Sequence, residues 1–424
     1  MRLATALALC GLAAAEDAGV MKLLRFSDHG IGDALCMDGS SSGIYFAPAT
    51  TQTDNYVLYL QGGGWCSDEA SCQQRCGARI KGRCSGALAS SAAWPAVQSM
   101  SGLFSTSPAK TPLPGANKAY LRYCTGDAHM GNRNASAASF GFNFHGQRTV
   151  RAALSILVKA HGLGSKPGHT LLFGGGSAGG RGAMVNLDFV PGMLADMGAA
   201  SAPRVLGFPD SPYWIDLVPD RAALPPDRFI GFAKQTQEIF ALANISGRAS
   251  AECAASFPTD PWKCALGVYR MPFVKTQFLM VASQSDAFQL FEDLGHMPVT
   301  LQELACAQCL LHFAHLPQPG YSHLSRALRY AQVFADYTHG NASMLIAPGT
   351  PAAKAGSTVF SMNCFSHSTS LTDHGMSGMN VGGYRMMDAL ADFIGQGQGG
   401  APLPAGGFFD PAKGFNSGKG CLAP

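Results

Sequence analysis

One serine stands inside a glycine-rich turn, and this segment constrains the fold more than any other part of the chain. The apolar run 171–173 (Leu-Leu-Phe) leads into Gly175, Ser177 and Gly179, which gives the spacing G-x-S-x-G. Glycines at these positions allow a sharp turn from a strand into a helix and leave the serine hydroxyl exposed at the tip. The pattern predicts a nucleophile elbow with Ser177 as the nucleophile. A flexible glycine loop is the alternative, because the chain contains 51 glycines.

A second glycine-rich loop follows an earlier strand pattern. Residues 56–60 (Tyr-Val-Leu-Tyr-Leu) are typical of a buried strand, and Gly62, Gly63 and Gly64 come shortly after it. In α/β-hydrolases the amide after the nucleophile and an amide from such a loop together bind the negative oxygen formed during acyl transfer. The predicted oxyanion hole consists of the amides of Ala178, Gly63 and Gly64. An ordinary glycine turn is the alternative.

An acid and a histidine follow two later strand patterns. Residues 276–281 precede Asp286, and residues 358–360 precede His367. The chain order serine, acid, histidine is that of α/β-hydrolases. In the predicted triad His367 is the general base for Ser177, while Asp286 orients the histidine and stabilises its charged form.

Other residues could take these two roles. Asp210 also follows an apolar run and is the alternative acid, although it could equally cap a helix or line a pocket. His374 and His339 are the alternative bases, because the sequence alone does not show which histidine lies near the serine. Trp65, directly after the glycines, and Asp210 are the candidate residues of the substrate pocket.

Seven short blocks of the sequence occur in one order. They are residues 34–40, 60–66, 122–127, 144–146, 176–180, 283–289 and 363–367. Together they resemble the pectin acetylesterase family, whose animal branch is the Notum carboxylesterases. The resemblance implies Ser177, Asp286 and His367 as the triad, with the oxyanion amides on the residues already named.

The substrate prediction depends on the same resemblance. The three glycines before Trp65 look more like the polysaccharide-esterase branch than the Notum branch, while Gln61 stands where glutamate is the common choice. The expected protein is a secreted serine carboxylesterase that removes an acyl group, expected to be acetyl, from a cell-wall or extracellular polysaccharide such as pectin. The reaction would run through an acyl-enzyme and need no cofactor or metal. The alternatives are a Notum-like fatty-acyl protein deacylase and an inactive carbohydrate-binding relative.

Strand-like and helix-like segments alternate along the chain. Residues 146–160 carry an apolar stripe at helical spacing and lead into the strand before Ser177. This alternation predicts an α/β fold of the α/β-hydrolase kind, with a mainly parallel sheet flanked by helices and with disulfide-braced insertions. The strand patterns lie at 56–60, 119–123, 171–173, 204–208 and 276–281.

The N-terminus is typical of a signal peptide. Residues 1–15 contain one arginine, an apolar stretch and three closing alanines. No later run approaches about 18 apolar residues, so stable membrane insertion is not expected. The net charge is only +3 and no basic run occurs, which argues against nucleic acid as a partner. We predict a secreted protein with a signal peptide at 1–15, a single esterase domain at 16–395 and a Gly/Pro-rich tail at 396–424.

Cysteine usage agrees with secretion. The chain has 13 cysteines, and loss of the signal peptide would remove Cys10 and leave an even number, as expected for a disulfide-bonded protein. Cys66, Cys72, Cys76 and Cys84 crowd the segment after the glycine loop, which predicts local bridges that brace this loop.

A further group has metal-like spacing. Cys306 and Cys309 are followed by His312 and His315, but a C-x-x-C pair in an oxidising compartment is more often structural, so no metal site is predicted. Three glycosylation sequons begin at Asn134, Asn244 and Asn341, and we expect them in surface loops.

Overall fold

A ten-stranded sheet forms the centre of the computed structural model, which describes residues 18–220, 231–294, 321–396, 398–411 and 414–421, with side chains from residue 325 onward in the third range. In space the strands follow the order β10-β9-β8-β7-β6-β3-β5-β2-β1-β4. In chain order they are β1 (Gly19–Arg25), β2 (Gly43–Ala47), β3 (Asn55–Leu60), β4 (Val97–Met100), β5 (Asn117–Leu121), β6 (Thr170–Gly176), β7 (Arg204–Asp210), β8 (Leu279–Val281), β9 (Thr358–Ser361) and β10 (Phe408–Phe409).

Most of the sheet is parallel. Strands β5, β3, β6, β7, β8, β9 and β10 pair in parallel. Strands β2, β1 and β4 extend the β5 edge in antiparallel fashion. The predicted α/β fold with a mainly parallel sheet is therefore confirmed, while the antiparallel extension was not foreseen.

Helices cover both faces of the sheet because the strands are apolar on both sides. In β3, Tyr56, Leu58 and Leu60 belong to one buried cluster, and Val57 and Tyr59 belong to a second one. Successive side chains of a strand point to opposite faces, so the two clusters lie on opposite sides of the sheet.

The helix predicted at 146–160 is observed at Gly146–Lys159, and its apolar stripe is buried. The helices are α1 (Glu69–Cys76), α2 (Gly146–Lys159), α3 (Ala178–Asn186), α4 (Val190–Asp196), α5 (Gly231–Leu242), α6 (Ala251–Ser256), α7 (Gly267–Arg270), α8 (Ala287–Leu294), α9 (Tyr321–Leu345), α10 (Pro351–Lys354), α11 (Asp373–Ser377) and α12 (Met386–Gly395).

The register of the central strands places their carboxyl ends at one edge. Leu60 is paired with Gly175, Gly176 with Asp210, and Asp210 with Val281. Loops that leave these strands therefore begin side by side, which is where open α/β sheets form their binding sites.

Five disulfides join cysteines of the described residues. The local bridges predicted after the glycine loop are present. Cys66, before α1, is bonded to Cys72 within the helix, and Cys76, its last residue, is bonded to Cys84. The other three bridges are Cys36–Cys124, Cys253–Cys264 and Cys364–Cys421.

The C-terminal residues pack against the domain. Strand β10 extends the central sheet beside β9, and Cys421 is bonded to Cys364, which lies three residues before His367. The residues described beyond 395 thus share the sheet and one disulfide with the rest of the chain, and the boundary at 395/396 stays a prediction. The predicted signal peptide and the group Cys306, Cys309, His312 and His315 lie outside the described residues. Among those described, we find no helix with the length and apolar character needed to cross a membrane.

Candidate active site

Ser177 occupies a strained turn between β6 and α3. Its φ and ψ are 57° and −123°, a region that non-glycine residues rarely adopt. The flanking positions have no room for a side chain, because a Cβ at Gly175 would lie 2.2 Å from the carbonyl oxygen of Gly179. A Cβ at Gly179 would lie 2.0 Å from the carbonyl oxygen of Leu60. The segment thus has the backbone of a nucleophile elbow.

The structure brings the three predicted triad residues together. Ser177 Oγ lies 2.7 Å from His367 Nε2. His367 Nδ1 lies 2.8 Å from Asp286 Oδ2 and 3.0 Å from Oδ1. Because a carboxylate can only accept, Nδ1 carries the proton and the Nε2 lone pair accepts from the serine hydroxyl.

Short strand pairing aligns the acid with the base. Ser285–Asp286 pairs in parallel with Phe365–Ser366, so the acid lies beside the residue that precedes His367. Asp286 is 1% exposed, and its Oδ1 also accepts from the Gln289 amide at 2.9 Å. The carboxylate therefore has a fixed orientation relative to the imidazole.

The pKa of His367 is raised above its usual value. Burial alone would lower this pKa, but the contact with the Asp286 carboxylate and the nearby charge of Asp210 outweigh burial. Opposite charges close to an imidazole stabilise its protonated form. The histidine is thus suited to hold the proton that it takes from a nucleophile.

The glycine loop after β3 lies against the serine. A Cβ at Gly62 would lie 2.9 Å from Ser177 Cβ, so this contact requires glycine. Gly63 and Gly64 have φ of 134° and 63°, and within the described ranges their amides donate to no protein acceptor. Ala178 is the first residue of α3, where amides have no intrahelical partner. These three predicted oxyanion residues thus lie in two segments that flank Ser177.

Asp210, the alternative acid and a candidate pocket residue, is bonded to the segment that follows His367. Its side chain is fully buried, and its Oδ2 accepts from the amide and the hydroxyl of Ser370 at 2.8 and 2.7 Å. Oδ1 accepts from Ser211 Oγ at 3.0 Å. Burial raises the pKa of this carboxyl despite these hydrogen bonds. Asp210 therefore connects the end of β7 to the loop that follows His367.

The two alternative bases lie in other surroundings. His374 Nε2 is 2.8 Å from the carbonyl oxygen of Gly420. The His339 ring packs edge-on against Phe409, with 5.3 Å between ring centroids. His367 is the histidine that the structure places against Ser177.

Trp65 belongs to a group of four aromatic rings beside the histidine. Its ring centroid lies 4.4, 5.9 and 6.4 Å from those of Trp214, Phe232 and Phe288. Phe288 in turn lies 5.2 Å from the His367 ring. Of these four rings, only Trp65 was a candidate from the sequence. The position of Phe288, two residues after Asp286, was a usable signal, whereas nothing in the sequence connected Phe232 to this site.

A buried cation supports these rings. Arg181 of α3 is fully buried, and its Cζ lies 5.0 and 4.6 Å from the centroids of Trp65 and Trp214. Nε donates to the carbonyl oxygen of Ala265 at 2.6 Å. Burial lowers the pKa of this guanidinium to about 9. Cation–π contacts of this kind fix the position of an aromatic ring.

The sheet, the strained serine turn and the alignment of strand ends define an α/β-hydrolase-like protein. Comparison with known families gives the particular one: the chain matches the pectinacetylesterase family over residues 14–399 and belongs to it. Membership in this carboxylesterase family supports an esterase or deacylase role.

Curated relatives include palmitoleoyl-protein carboxylesterases. The chain is 30% identical to the enzyme NOTUM of Drosophila melanogaster over 273 residues, which are 63% of this chain and 38% of that protein. It is 28% identical to notum1 of Xenopus laevis over 264 residues, which are 62% of this chain and 51% of the relative. The chain thus spans about half or less of the length of these two relatives.

A solved structure shares the fold. The crystal structure of the Wnt deacylase Notum from Drosophila superposes with a TM-score of 0.73 at 21% identity, covering 96% of this chain and 100% of the other. At this identity the comparison supports the fold alone.

Proposed function

We propose that this chain is a serine carboxylesterase that hydrolyses small acyl esters, with acetyl esters of an extracellular polysaccharide such as pectin as the substrate class. The observation that carries the proposal is the continuous chain of hydrogen bonds from Ser177 through His367 to Asp286. This is the arrangement in which a serine hydroxyl becomes a nucleophile at neutral pH.

The first half of the reaction forms an acyl-enzyme. Ser177 Oγ attacks the ester carbonyl carbon while its proton passes to Nε2 of His367. The amides of Gly63, Gly64 and Ala178 receive the negative oxygen of the tetrahedral intermediate. The carbon–oxygen bond to the sugar then breaks, and His367 returns the proton to the departing oxygen.

Water completes the cycle. It gives one proton to His367 Nε2 and attacks the acyl carbon, which leaves as the free acid when Ser177 takes the proton back. Asp286 remains charged throughout and stabilises the imidazolium that forms twice in each turnover.

The aromatic group favours a small acyl chain. Trp214 is fully buried and Phe232 is 2% exposed, so their rings already fill the space on the Trp65 side of His367. Interiors packed in this way accept an added chain only by displacing side chains. An acetyl group needs little room, which supports a short acyl specificity.

Secretion is part of the proposal. The five disulfides among the described residues suit an oxidising compartment, and the sequence of residues 1–15 predicts a signal peptide. We propose an extracellular or cell-wall location, where acylated polysaccharides are found.

A second candidate is a lipid deacylase. The relatives reported above carry the name palmitoleoyl-protein carboxylesterase, which describes removal of a fatty acyl group from a protein. This activity would need an apolar cavity of greater depth than an acetyl pocket. Acyl-chain length therefore separates the two candidates.

The test is hydrolysis of a series of p-nitrophenyl esters from acetate to palmitate, together with acetate release from acetylated pectin. The control is Ser177→Ala. A preference for acetate that is lost in the variant supports the proposal, and a preference for medium or long chains supports the deacylase. Absence of any Ser177-dependent turnover would favour an inactive carbohydrate-binding relative.

A further inference from the structure

Three side chains hold three carbonyl groups of the glycine loop after β3. His129 Nε2 lies 2.9 Å from the carbonyl oxygen of Gln61. Arg75 Nη2 donates to the carbonyl oxygen of Gly63 at 2.7 Å, and Tyr123 Oη donates to that of Gly64 at 2.8 Å. The three donors come from different parts of the chain and converge on five consecutive residues, 61–65.

A fixed carbonyl also fixes the amide of the next residue. In a trans peptide the C=O and the following N–H point in opposite directions within one plane. The three contacts therefore set the directions of the amides of Gly62, Gly64 and Trp65. Gly64 is a predicted oxyanion donor. The other loop donor, the amide of Gly63, lies in the peptide between the two fixed peptides 61–62 and 63–64. This restraint matters here because glycine has many accessible backbone conformations, and Gly63 and Gly64 both have positive φ.

We propose that Arg75, Tyr123 and His129 are positioning residues that hold the amides of this loop in the orientation needed for the oxyanion hole. The inference rests on the proposed esterase function. Donors aimed in advance at the developing negative oxygen lower the barrier because they do not reorganise during the reaction. The loop contributes such donors only while its peptide planes are held.

The donors are themselves fixed. Tyr123 is fully buried, and its oxygen accepts from the amide of Ala128 at 2.7 Å, which leaves its proton for Gly64. Asp127 Oδ1 accepts from the amide of His129 at 3.0 Å and from Thr125 Oγ1 at 2.6 Å. The turn that carries His129 is thus organised around one buried carboxylate.

His129 acts as a neutral donor. A carbonyl oxygen can only accept, so Nε2 carries the proton. Burial lowers the pKa of His129 to about 4, and the ring is therefore uncharged at neutral pH. Its contact with Gln61 is then an ordinary hydrogen bond that stays constant over the working range of a neutral esterase.

Arg75 is held by the disulfide-braced segment. It lies on α1, whose Cys72 and Cys76 are bonded to Cys66 and Cys84. Cys66 follows the glycine loop directly, so the bridge from Cys66 to Cys72 connects the loop to the helix that carries Arg75. Arg75 Cζ also lies 5.6 Å from the centroid of the Tyr123 ring, so two of the three positioning side chains contact each other.

The test compares Tyr123→Phe with Tyr45→Phe. Tyr45 is a matched control, since it is also fully buried and its hydroxyl donates to a backbone carbonyl, that of Pro95, at 2.6 Å. We expect Tyr123→Phe to lower kcat by about 10- to 100-fold, somewhat less than the loss of a whole oxyanion donor, with KM within about twofold. The Ki of a trifluoromethyl ketone, which binds as a hemiketal oxyanion, should rise by the same factor. Tyr45→Phe should lower thermal stability less, because Tyr123→Phe also leaves the Ala128 amide without its acceptor, and it should leave kcat unchanged.

Arg75 permits a rescue experiment because it is only half-buried. Arg75→Ala should lose kcat in the same way, and millimolar guanidinium in the buffer should restore part of it. Hydrogen exchange of residues 61–66 should accelerate in Arg75→Ala and Tyr123→Phe but not in Tyr45→Phe.

The outcomes separate the two hypotheses. Equal kcat in Tyr123→Phe and wild type, or unchanged exchange of residues 61–66, overturns the positioning role. A second outcome is that wild type shows no Ser177-dependent hydrolysis while exchange of residues 61–66 still accelerates in the variants. The esterase proposal and the catalytic role of the three side chains would then fail, although Arg75 and Tyr123 would still be shown to hold the loop. Loss of kcat in Arg75→Ala with rescue by guanidinium supports both the esterase function and the positioning role.

Discussion

Asp210 and Ser370 are joined by two hydrogen bonds, from the Ser370 amide at 2.8 Å and from its hydroxyl at 2.7 Å, both to the same carboxylate oxygen. The contact ties the end of β7 to the loop after His367. β7 also pairs with β6, which ends one residue before Ser177, and Asp210 is the partner of Gly176 in this pairing. Asp210 therefore lies next to the strand end that leads to the nucleophile and is bonded to the segment that follows the base. Asp210 thus holds the segment after His367 and places a carboxyl group near the imidazole.

We expect Asp210→Asn to change the pH dependence of the enzyme. The Asp210 charge contributes to the raised pKa of His367, so its removal lowers that pKa. His367 must be neutral to act as base, and activity is lost as pH falls through this pKa. The acidic limb of kcat/KM should therefore move to lower pH in the variant. The profile of wild type provides the control, and an unmoved limb would show that Asp210 carries no charge in the free enzyme.

Removal of the triad residues should abolish turnover without unfolding the protein. In serine triads, loss of the serine or histidine costs roughly 10⁶-fold in kcat and loss of the acid roughly 10⁴-fold. We expect these losses for Ser177→Ala, His367→Ala and Asp286→Ala, measured on p-nitrophenyl acetate with thermal unfolding as the folding control. Near-normal kcat in Asp286→Ala would remove the acid assignment.

The proximity of Ser177, Asp286 and His367 could be predicted from sequence because each residue follows the end of an apolar strand pattern, and the triad itself stays a prediction. In a parallel sheet these ends share one edge, so strand patterns alone place Ser177, Asp286 and His367 together. The order of the three residues along the chain then assigns their roles. The strands that were predicted differ from the observed ones by a few residues at their ends, while β1, β2, β4 and β10 were not predicted.

The supporting contacts could not be predicted in this way. Tyr123 and Gly64 are 59 residues apart, and His129 and Gln61 are 68 apart, so no local pattern connects them. The role of Asp210 was missed for the same reason, since its partner Ser370 is 160 residues away. The contacts of the predicted tail could not be foreseen either, because its Gly/Pro-rich composition gives no sign of the two-residue strand β10.

Trp65 should control acyl-chain length. Replacement by alanine removes a partly buried ring from the aromatic group and leaves space beside His367. We expect Trp65→Ala to raise kcat/KM for hexanoate and octanoate relative to acetate by about tenfold, the size of effect that one or two methylenes have in an apolar pocket. The acetate rate of the same variant is the internal control. An unchanged ratio would place the acyl group elsewhere.

The tail beyond residue 395 should be needed for activity. Its Asn416 Oδ1 accepts from the Phe365 amide at 2.7 Å, and Asp410 Oδ2 accepts from the Asn363 amide at 3.0 Å, both close before His367. A chain that ends at residue 395 also loses β10 and the bridge to Cys364. We expect lower thermal stability and strongly reduced kcat. Cys421→Ser is the milder variant, and removal of a bridge that closes 57 residues should cost about 4 kcal/mol of unfolding free energy. Full activity of the truncated chain would instead support an independent tail.

The three sequons should differ in use. Asn134 and Asn244 are exposed and lie outside helices, where an acceptor can reach the glycosylating enzyme. Asn341, in contrast to our expectation of a surface loop, lies within α9, and its Nδ2 donates to the carbonyl oxygen of Tyr337 at 2.9 Å. After expression through a eukaryotic secretory pathway, peptide mapping should find glycans on Asn134 and Asn244 and none on Asn341. A glycan on Asn341 would mean that the sequon is modified before helix α9 forms.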